Sequence, residues 1–334
     1  MTLLLAADIG GTKSVLAIFN LADDLRAAPL FQAVYANRDF SGLDALGTFF
    51  LQQAGIKPEY ACLAVAGVVR HGRARMTNLP WEIGEEEIAR CFGLKRVWLI
   101  NDLTAVCASL PFLEPDDYLE LQAGAPEVDG VRAVIAPGTG LGEGFLVRAG
   151  DHVRAQGSEG GHCDFAPIDA IQAELLAWML SRYPGEPVSY ETFCSGMGIP
   201  LLYAFFKASG MAESEPIRKA LEDSVDQTPV IACGAMEPGN SCPLCARALE
   251  TFLAILGAEA GNLALKLYST GGLYIGGGIM PRLAGRLSFA PLLAAFNRKE
   301  KMEALMQSIP VRLITREDAA LLGAAGHGKN RVQQ

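Results

Sequence analysis

The 334-residue sequence has no run of lysine or arginine, and none of its apolar stretches reaches the roughly 18 uninterrupted residues of a membrane-spanning helix. Acidic residues outnumber basic ones, 37 to 28, for a formal net charge of −9. That balance disfavours nucleic acid or an anionic membrane as a partner, although backbone N–H groups can still build a local anion pocket. No segment spells G-x-x-x-x-G-K-[ST] or G-x-G-x-x-G, so neither the P-loop nor the dinucleotide fingerprint applies. Eight cysteines are scattered, mostly inside apolar runs (Cys62, Cys91, Cys107, Cys194), which is reduced-thiol usage rather than a disulfide framework. The opening "MTLLLAADIGG" lacks a basic segment and enters a glycine turn too early for a signal peptide, so a soluble cytoplasmic protein is expected.

What the chain does have is apolar mass and glycine. Half of its residues are hydrophobic and 36 are glycine, with no periodic or low-complexity tract. The length suggests two lobes. Residues 3–20 read as two strands joined by a glycine turn, 29–36 as a third strand, 42–55 as a helix, and 61–67 and 96–102 as buried strands. This alternation predicts an α/β layer with a mostly parallel sheet. "RAVIAPGTGLGEGFLV" (132–147) repeats the strand–turn–strand layout of residues 3–20. Mostly helix follows at 168–183, 198–209, 215–225 and about 243–269, then strands at 272–278 and 311–315 and a last helix at 318–328. The polar tail "KNRVQQ" is expected to fray. Two similar halves predict a duplicated fold with a cleft between lobes.

The two turns could each receive an anion. "DIGGTK" offers Gly10, Gly11, Thr12 and Lys13, and "PGTGLG" offers Gly138, Thr139, Gly140 and Gly142. Glycine lets a phosphate approach without a Cβ in the way. Closed from two sides, such turns would hold the phosphates of a nucleotide, although hairpin turns are often glycine-rich for conformational reasons alone. Asp8 ends the first strand, where α/β sheets place their ligands and where one carboxylate suits a hydrated Mg²⁺.

Other acids are placed for chemistry. Asn101 and Asp102 of "LINDLTAV" end an apolar strand, where a carboxylate is partly desolvated and rigid. Phosphoryl transfer asks for an aligned hydroxyl, a carboxylate to take its proton, and cations around the phosphoryl oxygens, and Asp102 suits the base. The same dipeptide could instead cap the following helix. The residues alone leave both readings open. "GSEGGHCDFAP" carries Glu159, His162 and Asp164, able to meet sugar hydroxyls, to ligate a metal, or to form a polar loop. Glu191 precedes an apolar helix, where a first-turn acid is common. "CPLC" (242–245) invites zinc, but only Cys233 lies near it, short of four ligands.

These segments together resemble the bacterial glucokinase family of actin-like sugar kinases. The resemblance rests on "ADIGGTK", "LAVAGVV…RARMTNLPW", "LINDLTAV", "APGTGLGEGFLV", "EGGHCDFAP", "ETFCSGMGIPLLY", "GNLALKLYSTGGLYIGGGIMPR" and "DAALLGAAGH", in family order across roughly residues 3–327. It implies a two-lobed actin-like ATPase (ribonuclease H-like) α/β fold. Residues 1–110 and 312–330 would form the small domain and residues 111–311 the large one. It implies ATP-dependent phosphorylation of glucose at its 6-hydroxyl, with Mg²⁺ and a homodimeric assembly. Asp102 matches the catalytic base, and Asn101, Glu159, His162 and Glu191 match sugar-binding positions, with Asn78 beside the sugar pocket. The two hairpins match the phosphate-binding turns, Gly276, Gly277 and Gly278 the segment beside the adenosine, and Asp8 the residue expected to hold hydrated Mg²⁺.

Three positions depart from that pattern. Lys13 stands where asparagine is frequent, Glu143 where a small or apolar residue is usual, and Met197 where proline is usual. An added acid at 143 repels phosphate unless it points away, and Met197 is expected to loosen the turn after Glu191. A cysteine-rich zinc segment after His162 is absent, which disfavours the zinc-binding ROK branch. Alternatives are a kinase for mannose or an N-acetylated amino sugar, and a non-catalytic sugar sensor. The sensor is disfavoured because the glycine turn begins at residue 10, without room for a preceding DNA-binding segment.

Overall fold

The computed structural model describes residues 1–76, 79–150, 152–236 and 242–334. In chain order its strands are β1 (Leu3–Ile9), β2 (Lys13–Asn20), β3 (Phe31–Ala36), β4 (Tyr60–Val65), β5 (Gly67–Arg70), β6 (Arg73–Met76) and β7 (Glu82–Gly84). Then come β8 (Arg96–Asn101), β9 (Tyr118–Gln122), β10 (Arg132–Pro137), β11 (Leu141–Ala149), β12 (His152–Ser158), β13 (Gly272–Ile275) and β14 (Val311–Ile314).

Successive side chains of a strand point to opposite faces, so an unbroken apolar run needs two cores. β1 has them. Leu5, Ala7 and Ile9 join one cluster with Phe50 and Trp81, while Leu4 and Ala6 join another with Cys62 and Trp98. The first sheet has the order β3-β2-β1-β4-β8. β1 runs antiparallel to β2 and parallel to β4, and β4 runs parallel to β8. The sheet is therefore mixed rather than mostly parallel, because a three-residue glycine turn can join only antiparallel neighbours.

The second sheet, β12-β11-β10-β13-β14-β9, repeats the first in order and direction through its first five strands. β10 pairs antiparallel with β11 and parallel with β13, and β13 runs parallel to β14. The added strand β9, the edge strand β12 and the small sheet β5-β6-β7 are absent from the sequence reading. None of these segments has a long apolar run to announce it.

The helix Pro243–Leu267 is 25 residues long and apolar enough to cross a membrane by length and composition, yet 78% of its most apolar window is buried within the protein. It is a core helix, packed with Phe193, Ile199, Leu273 and Leu313. Two further helices join the sheets. Asp102–Ser109 gives Ala105 to the first-sheet core and Leu103 and Cys107 to a cluster with Val134, Leu146 and Tyr274. After Ile314 the chain leaves the second sheet, and Ala319–Gln333 packs Leu321, Leu322, Ala324 and Ala325 against Leu4 and Ala6. A Cβ on Gly323 would overlap the Ala105 carbonyl, so glycine permits the close crossing of these two helices. The tail does not fray where expected, since this last helix continues to Gln333.

Candidate active site

Asn101 is the last residue of β8, and its Oδ1 accepts the backbone N–H groups of Leu103 (3.0 Å) and Thr104 (3.3 Å). It is thus the N-cap of the helix Asp102–Ser109, and Asp102 takes the first helical position. Asn101 Nδ2 donates to the Gly67 carbonyl at 3.2 Å, and the Asn101 side chain also reaches the Asp102 carboxylate. Asp102 Oδ1 accepts the Leu103 N–H at 2.9 Å. Burial holds the Asp102 pKa above the ordinary carboxylate value, against the lowering effect of that backbone bond.

Asp8 lies opposite Ala64, which in turn lies opposite Ile100, so Asp8 and Asp102 share one carboxyl-end edge of the parallel strands. The Asp8 pKa is pushed up to about 6, first by burial and second by the negative charge of Asp102, with Lys13 pulling it down. Two close hard oxygen donors with a mutual charge penalty fit a hydrated Mg²⁺, which takes one or two carboxylates.

The first hairpin is braced by a residue that the sequence did not single out. Asn37 is 1% exposed. Its Nδ2 donates to the Gly10 carbonyl at 2.9 Å, its Oδ1 accepts from Ser14 Oγ at 2.6 Å, and its backbone N–H donates to the Thr12 carbonyl at 2.9 Å. Gly10 N–H meets the Lys13 carbonyl at 3.1 Å, while Thr12 and Lys13 stay exposed.

On the second sheet, Glu191 Oε2 accepts the Leu141 N–H at 2.8 Å, and its Oε1 lies 3.7 Å from His162 Nδ1. Glu191 therefore stands between the sugar-type loop and the turn of Gly138, Thr139 and Gly140. A Cβ on Gly140 would overlap Glu191 Oε2. Gly196 N–H donates to the Gly138 carbonyl at 2.8 Å. Gly277 has φ +82° and a Cβ there would overlap the Pro137 carbonyl, so glycine at 277 is a requirement of the close approach to the turn. Space beside Gly138 and Gly278 is open, and Gly276 is packed near Ala136. Glu159 is exposed and lines, with Asn101 and Thr104, a cleft of ≈ 1190 Å³ that runs along Trp98, Arg154 and His327; Asp8, Asp102, His162, Glu191 and the two glycine turns are not part of its lining. A Cβ on Gly157 would lie 2.9 Å from Thr104 Oγ1, so glycine lets β12 approach the Asn101 cap. Asp164 lies in an isolated bridge with Ser189 that fixes the start of the Glu191 turn. Asn78 lies outside the described residues.

The three departures resolve separately. Lys13 puts its charge near Asp8. Met197 is 75% exposed, and the turn it sits in is held by the Gly196–Gly138 bond and by Thr228 Oγ1 donating to the Gly196 carbonyl. Glu143 points away from the hairpin surface, being 2% exposed and set against Glu259. Cys242 occupies the N-cap position of the helix Pro243–Leu267 without a side-chain cap bond. Among the described residues no three His, Cys, Asp or Glu side chains gather into a metal cage.

Two matched α/β sheets, an acid pair at one strand edge and two glycine hairpins define an actin-like kinase architecture, the two-lobed fold expected from the sequence. The glucokinase family model matches residues 5–331, and the chain belongs to the glucokinase family. A Nostoc punctiforme glucokinase is 38% identical over 97% of this chain and 98% of its own length. The crystal structure of a glucokinase from an Antarctic psychrotroph superposes with a TM-score of 0.83 at 32% identity, covering 99% of each chain. A ROK family glucokinase from Streptomyces griseus, in complex with glucose and AMPPNP, has the same fold at a TM-score of 0.63 and 20% identity, covering 98% of this chain and 99% of its own.

Proposed function

We propose that this protein transfers the γ-phosphoryl group of ATP to the 6-hydroxyl of D-glucose. The observation that carries the reading is the buried Asp102 carboxylate at the first helical position after β8, with Asn101 as the N-cap beside it. A raised pKa makes it a stronger base at neutral pH. Asp102 accepts the proton of the sugar hydroxyl as the oxygen attacks phosphorus, and the leaving oxygen remains on ADP.

The other residues orient and shield. The Asn101 amide meets a sugar hydroxyl beside Asp102, and Glu159, His162 and Glu191 hold the remaining hydroxyls from the facing loop. Backbone N–H groups of Gly11 and Thr12 and of Thr139 and Gly140 meet the phosphate oxygens, with Lys13 adding charge, while Gly10 and Gly138 close the two turns by donating to the Lys13 and Gly140 carbonyls. Gly276, Gly277 and Gly278 leave room for the nucleoside. Mg²⁺ bound at Asp8 supplies positive charge to the phosphoryl oxygens. A small domain of residues 1–110 and 315–330 carries Asp8 and Asp102, and a large domain of residues 111–314 carries Glu159, His162 and Glu191; the boundary expected at 311/312 moves because β14 pairs within the second sheet. Their closure excludes water, which otherwise accepts the phosphoryl group. The same reading takes the protein as a cytoplasmic homodimer.

The test is ADP release with Mg·ATP across glucose, mannose, fructose and N-acetylglucosamine. Glucose is expected to give the highest kcat/KM. Preference for mannose or an N-acetylated sugar replaces the substrate. Sugar binding without turnover on any of them turns the protein into a sensor and overturns the reading.

A further inference from the structure

Beneath the sugar-type loop lie two carboxyl groups that no step above uses. Glu143 on β11 is 2% exposed, and Glu259 on the helix Pro243–Leu267 is fully buried. The two side chains lie within hydrogen-bonding reach of each other. Each nevertheless has a buried Oε1 with no donor. Glu259 Oε2 is satisfied by Asn262 Nδ2 at 2.9 Å, whereas among the described residues no cation lies within ion-pair distance of Glu143.

Both ends of this pair reach the site. Glu143 is the strand partner of Ser158, the residue before Glu159, and a Cβ on Gly160 would overlap Glu143 Oε2. Asn262 Nδ2 also donates to the Tyr190 hydroxyl at 3.0 Å, immediately before Glu191. The positive groups facing the pair are Lys266, whose Nζ is 3.8 Å from Glu259 Oε1, and Lys299, whose Nζ donates to Asn262 Oδ1 (2.6 Å) and the Ala258 carbonyl (2.9 Å). Tyr190 and Cys194 are the remaining titratable groups there, both buried and both carrying raised pKa values. Neither lysine donates to Glu143. The Tyr190 hydroxyl also reaches Glu259, but the Oε1 atoms of both carboxyls still lack a donor, which is costly, and a single shared proton satisfies them.

We infer that Glu143 and Glu259 share one proton, and that this O–H···O bond is a positioning strut holding the 159–162 loop and Glu191 in place for the sugar. The role of the loop rests on the glucokinase reading above. The raised Glu143 pKa, pushed up to about 8 by burial and then by the charge of Glu259, is in accord with it. Loss of the proton leaves two buried like charges and spreads the loop from the helix.

The experiment is the KM for glucose and the kcat from pH 6.5 to 9.5 for the unmodified protein, Glu143→Gln and Glu143→Ala, with infrared spectra of the unmodified protein over the same range. The unmodified enzyme is expected to raise its KM roughly five- to tenfold above about pH 8, the size of one buried hydrogen bond, with kcat changing less. Glu143→Gln carries a permanent N–H donor toward Glu259, so it keeps the low KM and loses the alkaline rise. Glu143→Ala has a raised KM at every pH. The infrared spectrum is expected to hold a buried protonated-carboxyl band that vanishes through the same pH range, a readout that needs neither turnover nor a folded variant. Absence of that band, or an unchanged alkaline rise in Glu143→Gln, overturns the strut. Absence of glucose turnover with the band present overturns the substrate reading and leaves the shared proton standing.

Discussion

Glu191 Oε2 and the backbone N–H of Leu141 are 2.8 Å apart, so the carboxylate expected at a sugar hydroxyl also terminates the second glycine hairpin. Any displacement of Glu191 by a sugar is felt at the turn proposed to hold phosphate. Four measurements follow from this and the neighbouring contacts.

Gly140→Ala places a methyl group where Glu191 Oε2 now lies. The carboxylate must move, and the Leu141 N–H loses its acceptor. KM values for both glucose and ATP should rise together. Steady-state kinetics with each substrate varied would show it, and a change confined to ATP would break the proposed link.

Asp102→Asn keeps the size of the side chain and removes its basicity. A positioned acid–base group contributes about 10²–10⁴ in rate, so kcat should fall by that factor with the glucose KM little changed. Near-normal turnover in the purified variant removes Asp102 from the proton-transfer step.

Asp8 gives a dependence on pH whose direction is fixed by its shift. Its pKa rises from 3.8 to about 6 on folding, so folding favours the protonated form. Its contribution to stability is fully present below pH 3.8 and is lost as the pH rises through about 6. Asp8→Asn should therefore raise Tm near neutral pH, by a stability increment on the order of 2–3 kcal/mol, with the gap closing toward pH 4. The same variant should bind Mg·ATP more weakly. Equal melting curves for the two proteins from pH 4 to 8 contradict the assignment.

Asn37→Ala removes both side-chain bonds to the first hairpin and strands the Gly10 carbonyl and the Ser14 hydroxyl. The loss should be about 1–3 kcal/mol by denaturant titration. The KM for ATP should rise more than the KM for glucose, because the brace serves only the turn near Asp8. A variant of unaltered nucleotide affinity would make Asn37 purely structural.

The parts of the site that were legible in the sequence are those written in local pattern. Asp8 at the end of a strand that runs to Ile9 before two glycines, a strand ending in Asn101 just before Asp102, and a second hairpin at Gly138–Gly140 all follow from apolar runs and turn residues within a few positions. The division of labour between Asn101 and Asp102 was not legible, because a cap and a base have the same sequence signal. Asn37 escaped notice because its partners lie on another strand pair, and nothing in "YANRDF" marks an asparagine that will be buried.

Glu143 makes the same point with the sign reversed. Read beside a phosphate turn, it is an added negative charge facing the nucleotide. Folded, its side chain lies under β11 against Glu259, which arrives from a distant helix.

The sequence by itself determined the two repeated α/β halves, the glycine turns and the acids at strand ends, since hydrophobic periodicity and glycine placement act over short stretches of chain. Only the tertiary structure decided which side chains brace those turns, which carboxylate is free to act, and which acid is buried beside another. Those outcomes depend on burial and on partners from remote segments, and neither is encoded at the residue itself.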